Sequence, residues 1–509
     1  MAVSLLTRLG DRVAQRPDAI AVLQQDRAVS YGELWQQIGA LATYLQRSGL
    51  ARGDRVALLL DNSPEYIAAY YAVLAAGGTV VPLNTAARAA DFAHHLRHCS
   101  ARTLIADVNH AEFNALQALL SLDIAVIAVG DGAANVTVRW HDVSSARADL
   151  PTPVDDATLA TIIYTSGTTG QPKGVMLSRA NLASNTQSIL DYLPIQSEDR
   201  VMAVLPFFYS YGNSILHTHL AMGATLVIEN RFVYPHDILR KMVSLQITSF
   251  AGVPSTYALL LNRTSLEQYD LRRLRYLTQA GGAMSATMVA RLQQALPQVQ
   301  VFVMYGQTEA SARLTYVPPA RLHDKAGSVG IAIPGVKIAI QRDDGSVADA
   351  GEIGEICAQG DNVMLGYWND ADASAAALRG GCLHTGDLAH RDDDGFIFVQ
   401  GRRSDMIKIG AHRVHPSEIE EVIAALNDVA DVAVVGVDDA ILGQVAKAVI
   451  VARAGCAPDA MQIKAHCRDH LASYKIPKFI EYTESLPRTA SGKLQRFLLT
   501  PSPAGGHTL

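Results

Sequence analysis

The pattern of apolar and polar positions changes character twice along the chain. From Asp54 to about Thr315, short apolar runs alternate with longer helical patterns. "DRVALLL", ending at Leu60, reads as a buried strand; "PEYIAAYYAVLAAGG" reads as a helix closed by Gly77-Gly78, and "TVVPLN" as the next strand. This alternation predicts βαβ units, hence a largely parallel sheet with helices on its faces. From about Gly327 to Gly401, "KIAIQRDDGSVADAGEIGEICA" and "LAHRDDDGFIFVQG" predict strand–turn–strand units around Asp-Gly turns, a β-rich region. Beyond "GRRSD" (401–405) the pattern predicts a small α+β unit. Its first helix, "PSEIEEVIAAL", carries an N-cap signal at Ser417; "VAVVGV" and "VAKAVIVA" follow as strands, then a helix over residues 458–471 and a polar loop, "PRTASGKLQR". The predicted fold class is α/β: a large N-terminal domain of βαβ sheets plus a β-rich subdomain, with a small α+β C-terminal domain.

One interruption of the apolar pattern stands out. In "IIYTSGTTGQPKGVMLS", residues 162–178, eight of 17 positions are Gly, Ser or Thr, with one Lys and no acid. Strand-like runs flank it on both sides, which argues against a free linker and for an anion cradle: glycines let backbone N–H groups converge on phosphate oxygens, hydroxyls add donors, and the Lys adds a point charge. The spacing is not that of the common phosphate loop G-x-x-x-x-G-K-[ST], since five positions after Gly167 stands Pro172 and five after Gly170 stands Val175. A second Gly/Lys loop lies at Ser491-Gly492-Lys493. One such lysine in each region suggests a site closed by domain motion.

Bulk properties narrow the classes. A chain of 509 residues with 49% hydrophobic and 18% charged positions forms more than one core. The net charge of −6 leaves no nucleic-acid footprint, and no apolar run reaches membrane-spanning length. The amphipathic N-terminus, with Arg8, Asp11 and Arg12, does not read as a signal peptide. Five scattered cysteines fit free thiols in a reducing cytoplasm. His94, His98 and Cys99, and again His466, Cys467 and His470, have metal-like helical spacing, but solvated helix faces explain them more simply. Asp392-Asp393-Asp394 reads as a solvated turn.

"YTSGTTGQPKGV", "YGQTEAS" (305–311), "HTGD" (384–387), "GRRSDMIKIG" (401–410) and "PRTASGKLQR" (487–496) occur in the order that characterises the adenylate-forming superfamily, and the chain resembles that group from about residue 20 to 496. The superfamily comprises acyl-CoA synthetases, aryl-acid ligases, peptide-synthetase adenylation domains and firefly-type luciferases. The resemblance implies an ATP-dependent carboxylic acid ligase. A carboxylate attacks the α-phosphorus of ATP to give acyl-AMP and pyrophosphate; a thiol, CoA or the phosphopantetheine of a carrier protein, then takes the acyl group. It also implies an N-terminal domain over 1–401, a hinge at 402–404 and a mobile domain over 405–509.

Several roles follow from the resemblance. Thr165, Ser166, Gly167, Thr168, Thr169, Gly170 and Lys173 match the binding loop for the β and γ phosphates. Gly281, Gly282, Ala283, Tyr305, Gly306 and Gln307 match the adenine slot; Thr308 and Glu309 match catalytic positions, Glu309 as the Mg2+ ligand. Asp387 matches the ribose ligand and Arg402 a further ribose or phosphate contact. Lys493 matches the lysine that neutralises charge between carboxylate and α-phosphate, and Gly410 a position on the thiol's approach.

The chain also departs from the family pattern. Ser404, with Asp405 beside it, occupies the hinge place usually held by Asp or Lys, which leaves the pivot open. In "PFFYSYG" (206–212) Tyr209 replaces a common His, and Ser210 falls where peptide-synthetase domains carry an Asp for an α-ammonium. Phe207, Phe208, Tyr209 and Tyr211, with Ser210 and Gly212, read either as core or as the wall of an acyl pocket. No acid occurs between Val201 and Ile228, so an aryl or short-to-medium apolar acid is expected rather than a free α-amino acid. The catalytic motifs serve CoA and carrier-protein acceptors alike.

Overall fold

The computed structural model describes residues 2–120, 123–132, 136–144, 158–166, 172–232, 234–410, 412–439, 442–488 and 494–500. The chain forms two compact units: one comprises 1–324, 330–338 and 358–384, the other 325–329, 339–357 and 385–509. Residues 385–401, expected with the N-terminal domain, cluster with the C-terminal unit.

The first unit is built on two large sheets. One runs, in spatial order, Ile331–Ala332, Thr315–Tyr316, Gln300–Tyr305, Tyr276–Gln279, Ser249–Gly252, Arg200–Ala203, Thr225–Ile228, Ile20–Gln24, Arg27–Ser30. The other runs Gly366–Tyr367, Pro172–Ser178, Leu159–Ser166, Thr79–Pro82, Arg55–Leu59, Thr103–Asp107, Ala125–Val129, Val138–Arg139. Their central pairs are parallel, as βαβ alternation predicts. The helix Pro64–Ala76 shows how the pattern is obeyed in a core. Ser63 caps it by accepting from the Tyr66 N–H at 3.0 Å, Pro64 opens it, and Gly77 closes it in the left-handed region at φ +89°. Every residue of this helix is buried, which is why its sequence is apolar all round rather than on one stripe.

In the second unit, the strands Cys382–Arg391 and Ile397–Arg402 form an antiparallel hairpin. The acidic run at its tip is a turn: the Asp392 side chain accepts from the Phe396 N–H at 2.7 Å, and Lys325 pairs with both Asp392 and Asp394. The α+β part carries the sheet order His412–Val414, Ile407–Ile409, Gly443–Ala452, Val429–Asp439, with Phe479–Tyr482 parallel to Gly443–Ala452. The helices Pro416–Ala424 and Ala460–His470 pack Ile419, Ile423, Ile463 and Cys467 onto it. The cap lies two residues before the expected Ser417: His415 is the N-cap, and its N–H donates to Glu418 at 3.4 Å. Ser417 lies inside the helix, where its hydroxyl donates to the Gln400 carbonyl. Pro416 decides this, because proline at the first helical position puts the cap before it.

Candidate active site

Three of the predicted segments of the first unit leave the carboxyl ends of strands in one parallel sheet. Arg200–Ala203 leads into "PFFYSYG", Tyr276–Gln279 into Ala280–Ala283, and Gln300–Tyr305 into "GQTEA". That edge is where open α/β sheets bind ligands. Gly281 adopts φ +87°, and Gln279 donates to the Gly282 carbonyl at 2.8 Å; Gly281, Gly282 and Ala283 are exposed and Tyr305 is half-buried.

The "GQTEA" loop turns sharply. A Cβ on Gly306 would stand 2.1 Å from the Ala312 carbonyl oxygen, so no larger residue fits without moving backbone. Asn362, fully buried, donates to the carbonyls of Ala310 at 3.1 Å and Arg313 at 2.9 Å, while the Ser311 hydroxyl donates to the Asn362 carbonyl at 2.7 Å. These bonds hold Gln307, Thr308 and Glu309 half-buried. The Thr308 and Ser210 hydroxyls are 3.1 Å apart.

Segment 361–368 links this loop to the phosphate hairpin. The Met364 N–H donates to the Glu309 carbonyl at 2.9 Å, and Gly366–Tyr367 pairs with Met176–Val175. Tyr367 thereby stands between the two predicted groups: its hydroxyl donates to Glu309 Oε1 at 2.9 Å, and Lys173 Nζ lies 5.0 Å from its ring centroid. In the hairpin, Thr165 faces Lys173 and Ser166 faces Pro172 across the strands. Its root is braced by His98, whose Nδ1 is 2.7 Å from the Tyr164 hydroxyl, and by Trp368, whose indole donates to the His98 carbonyl at 3.1 Å. Burial lowers the His98 pKa. Gly167, Thr168, Thr169 and Gly170 lie outside the described residues.

The donor set suits a hard divalent cation. The Glu309 carboxylate takes one hydroxyl, leaves a second oxygen, and shares the loop with the Thr308 hydroxyl.

The aromatic stretch divides. Phe207 is core, packed against Tyr66 with ring centroids 5.7 Å apart. Phe208 is buried, and Tyr209 packs against it with ring centroids 4.5 Å apart and planes tilted by 52° while remaining half-exposed. Tyr211 is buried with its hydroxyl 2.9 Å from the Thr278 carbonyl, to which it donates. Gly212 is a close-approach glycine, since a Cβ there would meet the Pro206 carbonyl at 2.1 Å; it shapes the entry to helix Ser210–Met222.

In the second unit, Asp387 and Arg402 face each other across the hairpin and pair at 3.0 Å (Nε to Oδ1). The preceding Gly386, at φ +75°, donates its N–H to buried Glu355 at 3.0 Å, and the Asp387 N–H donates to the Thr385 hydroxyl at 3.1 Å. The Ser404 hydroxyl donates to Asp405 at 3.0 Å. Gly410 adopts φ +58° and its N–H donates to the Leu442 carbonyl at 2.8 Å. Lys493 lies outside the described residues, but its flanks are anchored: Leu494 pairs with Arg488, and Arg496 Nη2 bonds both Glu420 oxygens at 2.7 Å.

Four residues carried no sequence signal of their own: Tyr367, Asn362 and Arg313 in the first unit and Glu355 in the second. Each acts on residues far from it in the chain, or is a charged side chain in a run that reads as loop. Arg313 is 2% exposed, with its guanidinium carbon 4.2 Å from the Tyr211 ring centroid.

Comparison with known proteins agrees with this geometry. Residues 9–368 match the AMP-binding enzyme family and residues 418–493 the AMP-binding enzyme C-terminal domain. A feruloyl-CoA synthase from Amycolatopsis sp is 34% identical over 95% of this chain and 96% of its own. An indoleacetate–CoA ligase from Aromatoleum aromaticum is 33% identical over 94% of each. Among solved structures, an anthranilate CoA ligase in complex with anthranoyl-AMP superimposes with TM-score 0.90 at 26% identity, over 98% of this chain and 96% of that one.

Proposed function

The chain belongs to the AMP-binding enzyme family and is an ATP-dependent, AMP-forming acid–CoA ligase; from that premise we propose how its residues divide the two half-reactions and which acids it takes. The observation that carries the assignment is the convergence of Lys173, Tyr367, Glu309, Thr308 and Ser210 in the first unit.

In the first half-reaction the acid's carboxylate oxygen attacks the α-phosphorus of ATP and the bond to pyrophosphate breaks. Lys173 and the residues from Thr165 to Gly170 hold the leaving phosphates, whose charge grows in the transition state. Glu309, oriented by the Tyr367 hydroxyl, would hold Mg2+, which supplies charge neutralisation to the phosphates when bound. Thr308 hydrogen-bonds at the reacting end, and Gly281, Gly282, Ala283, Tyr305, Gly306 and Gln307 seat the adenine. Asp387 accepts from the ribose hydroxyls with Arg402 beside it, and Lys493 neutralises charge between carboxylate and α-phosphate. In the second half-reaction a thiolate attacks the acyl carbonyl carbon and AMP leaves. The small domain, 405–509, turns about residues 402–404, and Gly410 then borders the path of the pantetheine arm.

The acid is aryl or short-to-medium apolar rather than a free α-amino acid. Half-exposed Tyr209, packed on Phe208, offers an apolar wall, and no acid occurs between Val201 and Ile228 to pair an α-ammonium. The relatives named above act, by their names, on feruloyl, indoleacetate and anthranilate groups, all aryl acids. Among the described residues the five cysteines form no disulfide, which suits a cytoplasmic setting, and no helix is long and apolar enough to cross a membrane.

Mass spectrometry of products tests the reading across a panel of acids, with CoA and with carrier proteins as acceptors. The expected result is acyl-AMP and acyl-CoA from an aryl or apolar acid, faster with CoA than with any carrier. Preferred loading of a carrier, or faster exchange with an amino acid than with its deaminated analogue, overturns the respective part.

A further inference from the structure

Arg313 is a buried cation for which the protein supplies little. Of its guanidinium donors, one makes a long bond of 3.4 Å to the Ala312 carbonyl, and Nε has no partner. Among the described residues it forms no ion pair; the Tyr211 ring centroid lies 4.2 Å from the guanidinium carbon, and the hydroxyl of Tyr192 is a further hydrogen-bonding neighbour. A cation over an aromatic face recovers only part of what burying a charge without a counter-ion costs. The backbone at this residue is pinned as well, because its carbonyl accepts from Asn362 at 2.9 Å and Asn185 at 3.4 Å. The charge is therefore held in place rather than free to reach solvent.

It lies beside the residues assigned above to the reacting end. Arg313 follows Glu309 by four residues, and Tyr211 follows Ser210, whose hydroxyl is 3.1 Å from that of Thr308. Tyr211 cannot turn away, since its own hydroxyl is committed to the Thr278 carbonyl at 2.9 Å. Resting on the ligase reading above, we propose that Arg313 is a specificity-determining residue that pairs with a second carboxylate on the substrate, so that the preferred acids are dicarboxylic, with an aryl or short apolar scaffold between the two groups. One carboxylate is adenylated; the other meets the guanidinium over Tyr211. The same cation disfavours any substrate that brings an ammonium to this place.

Pyrophosphate exchange with matched acids tests this on the full-length enzyme: phenylacetate against homophthalate, hexanoate against adipate, pentanoate against glutarate. In the unaltered protein at least one dicarboxylic acid exceeds its monocarboxylic partner in kcat/KM by about tenfold or more. Arg313→Met then lowers kcat/KM for the dicarboxylic acid by about a hundredfold, mostly through KM, and leaves the monocarboxylic partner within about threefold; Arg313→Lys, which keeps the charge without the planar fork, falls between. Monocarboxylic acids outpacing all their partners in the unaltered enzyme, or Arg313→Met depressing both members of a pair equally, overturns the proposal and leaves Arg313 as a support for Tyr211. If Arg313→Met does not fold, Arg313→Lys and the unaltered enzyme's own preferences decide. Exchange with no acid at all would strike down the ligase reading and this proposal with it.

Discussion

The loop carrying Glu309 and the hairpin carrying Asp387 present acidic groups of the same kind but secure them by different physics. Around Glu309 the constraint is steric: Gly306 passes the Ala312 carbonyl with no room for a Cβ, and Asn362 ties the loop from a fully buried position. Around Asp387 it is electrostatic: an Arg402 ion pair at 3.0 Å, a Gly386 N–H on Glu355, and Arg403 reaching Asp343 at 3.0 Å and Glu355 at 3.7 Å. Steric constraint fails abruptly when an atom is added and ignores salt. Charge pairing weakens by degrees and responds to ionic strength where it is exposed. Under the proposed roles, these would be a rigid place for charge that develops during the reaction and a more forgiving place for a bound sugar.

The largest effect is expected outside both. Lys493→Ala should reduce adenylation by roughly a hundred- to a thousand-fold or more while largely sparing transfer from synthetic acyl-adenylate to CoA. Separate assays of the two half-reactions check it, and equal damage to both sinks the assignment.

Gly306→Ala attacks the steric side of the comparison. The added methyl must displace the Ala312 carbonyl, and a shift of that size at Thr308 and Glu309 should cost about a hundredfold in pyrophosphate exchange, with little change in far-ultraviolet circular dichroism. Retained exchange would show that the loop is softer than its contacts imply.

Gly410→Leu should lose thioester formation by tens of fold and keep pyrophosphate exchange, because a bulky side chain meets the thiol's path and not the phosphates. Its φ of +58° adds a strain of about 1 kcal/mol, so Gly410→Asn, which tolerates that conformation, is the control for stability. Loss of exchange in a folded Gly410→Leu protein would remove this residue from the second step.

Asp387→Asn tests the electrostatic side. It keeps the shape but weakens both the Arg402 pair and the charge-assisted bonds to ribose; KM for ATP should rise about tenfold with kcat less affected. A rise that is the same in low and high salt would argue that the hairpin, too, is held sterically.

The smallest effect is on stability. Burial lowers His217 to about 3 and His219 to about 4, so both are neutral in the folded first unit, whereas the unfolded chain takes up protons near the ordinary value of 6.5. Their contribution is complete above about pH 6.5 and is lost as pH falls toward 4, by up to about 1.4 kcal/mol per pH unit for each. Thermal melts from pH 7 to pH 5 should show this fall, and His217→Phe should flatten it. A slope unchanged in His217→Phe assigns the acid sensitivity elsewhere.

Much of this molecule is legible along the chain. Local rules suffice for the βαβ alternation, the Asp-Gly hairpins and the cap-to-glycine helix Pro64–Ala76, because turn residues and apolar period act between near neighbours. Glycines at 212, 306, 386 and 410 could be read as special, but not why: two avoid a backbone clash and two adopt positive φ. The cap at Ser417 misled because a local preference competed with Pro416 and with a carbonyl from another strand. What only the tertiary structure decided are the encounters between distant segments. Tyr367 comes between Lys173 and Glu309 because strand 366–367 happens to pair with 175–176, and Arg313 becomes a buried cation with no ion pair among the described residues because Tyr211, 102 positions earlier, covers it. Polarity along a chain says which groups water favours; it does not say which of them the packed core will leave without water and without a partner.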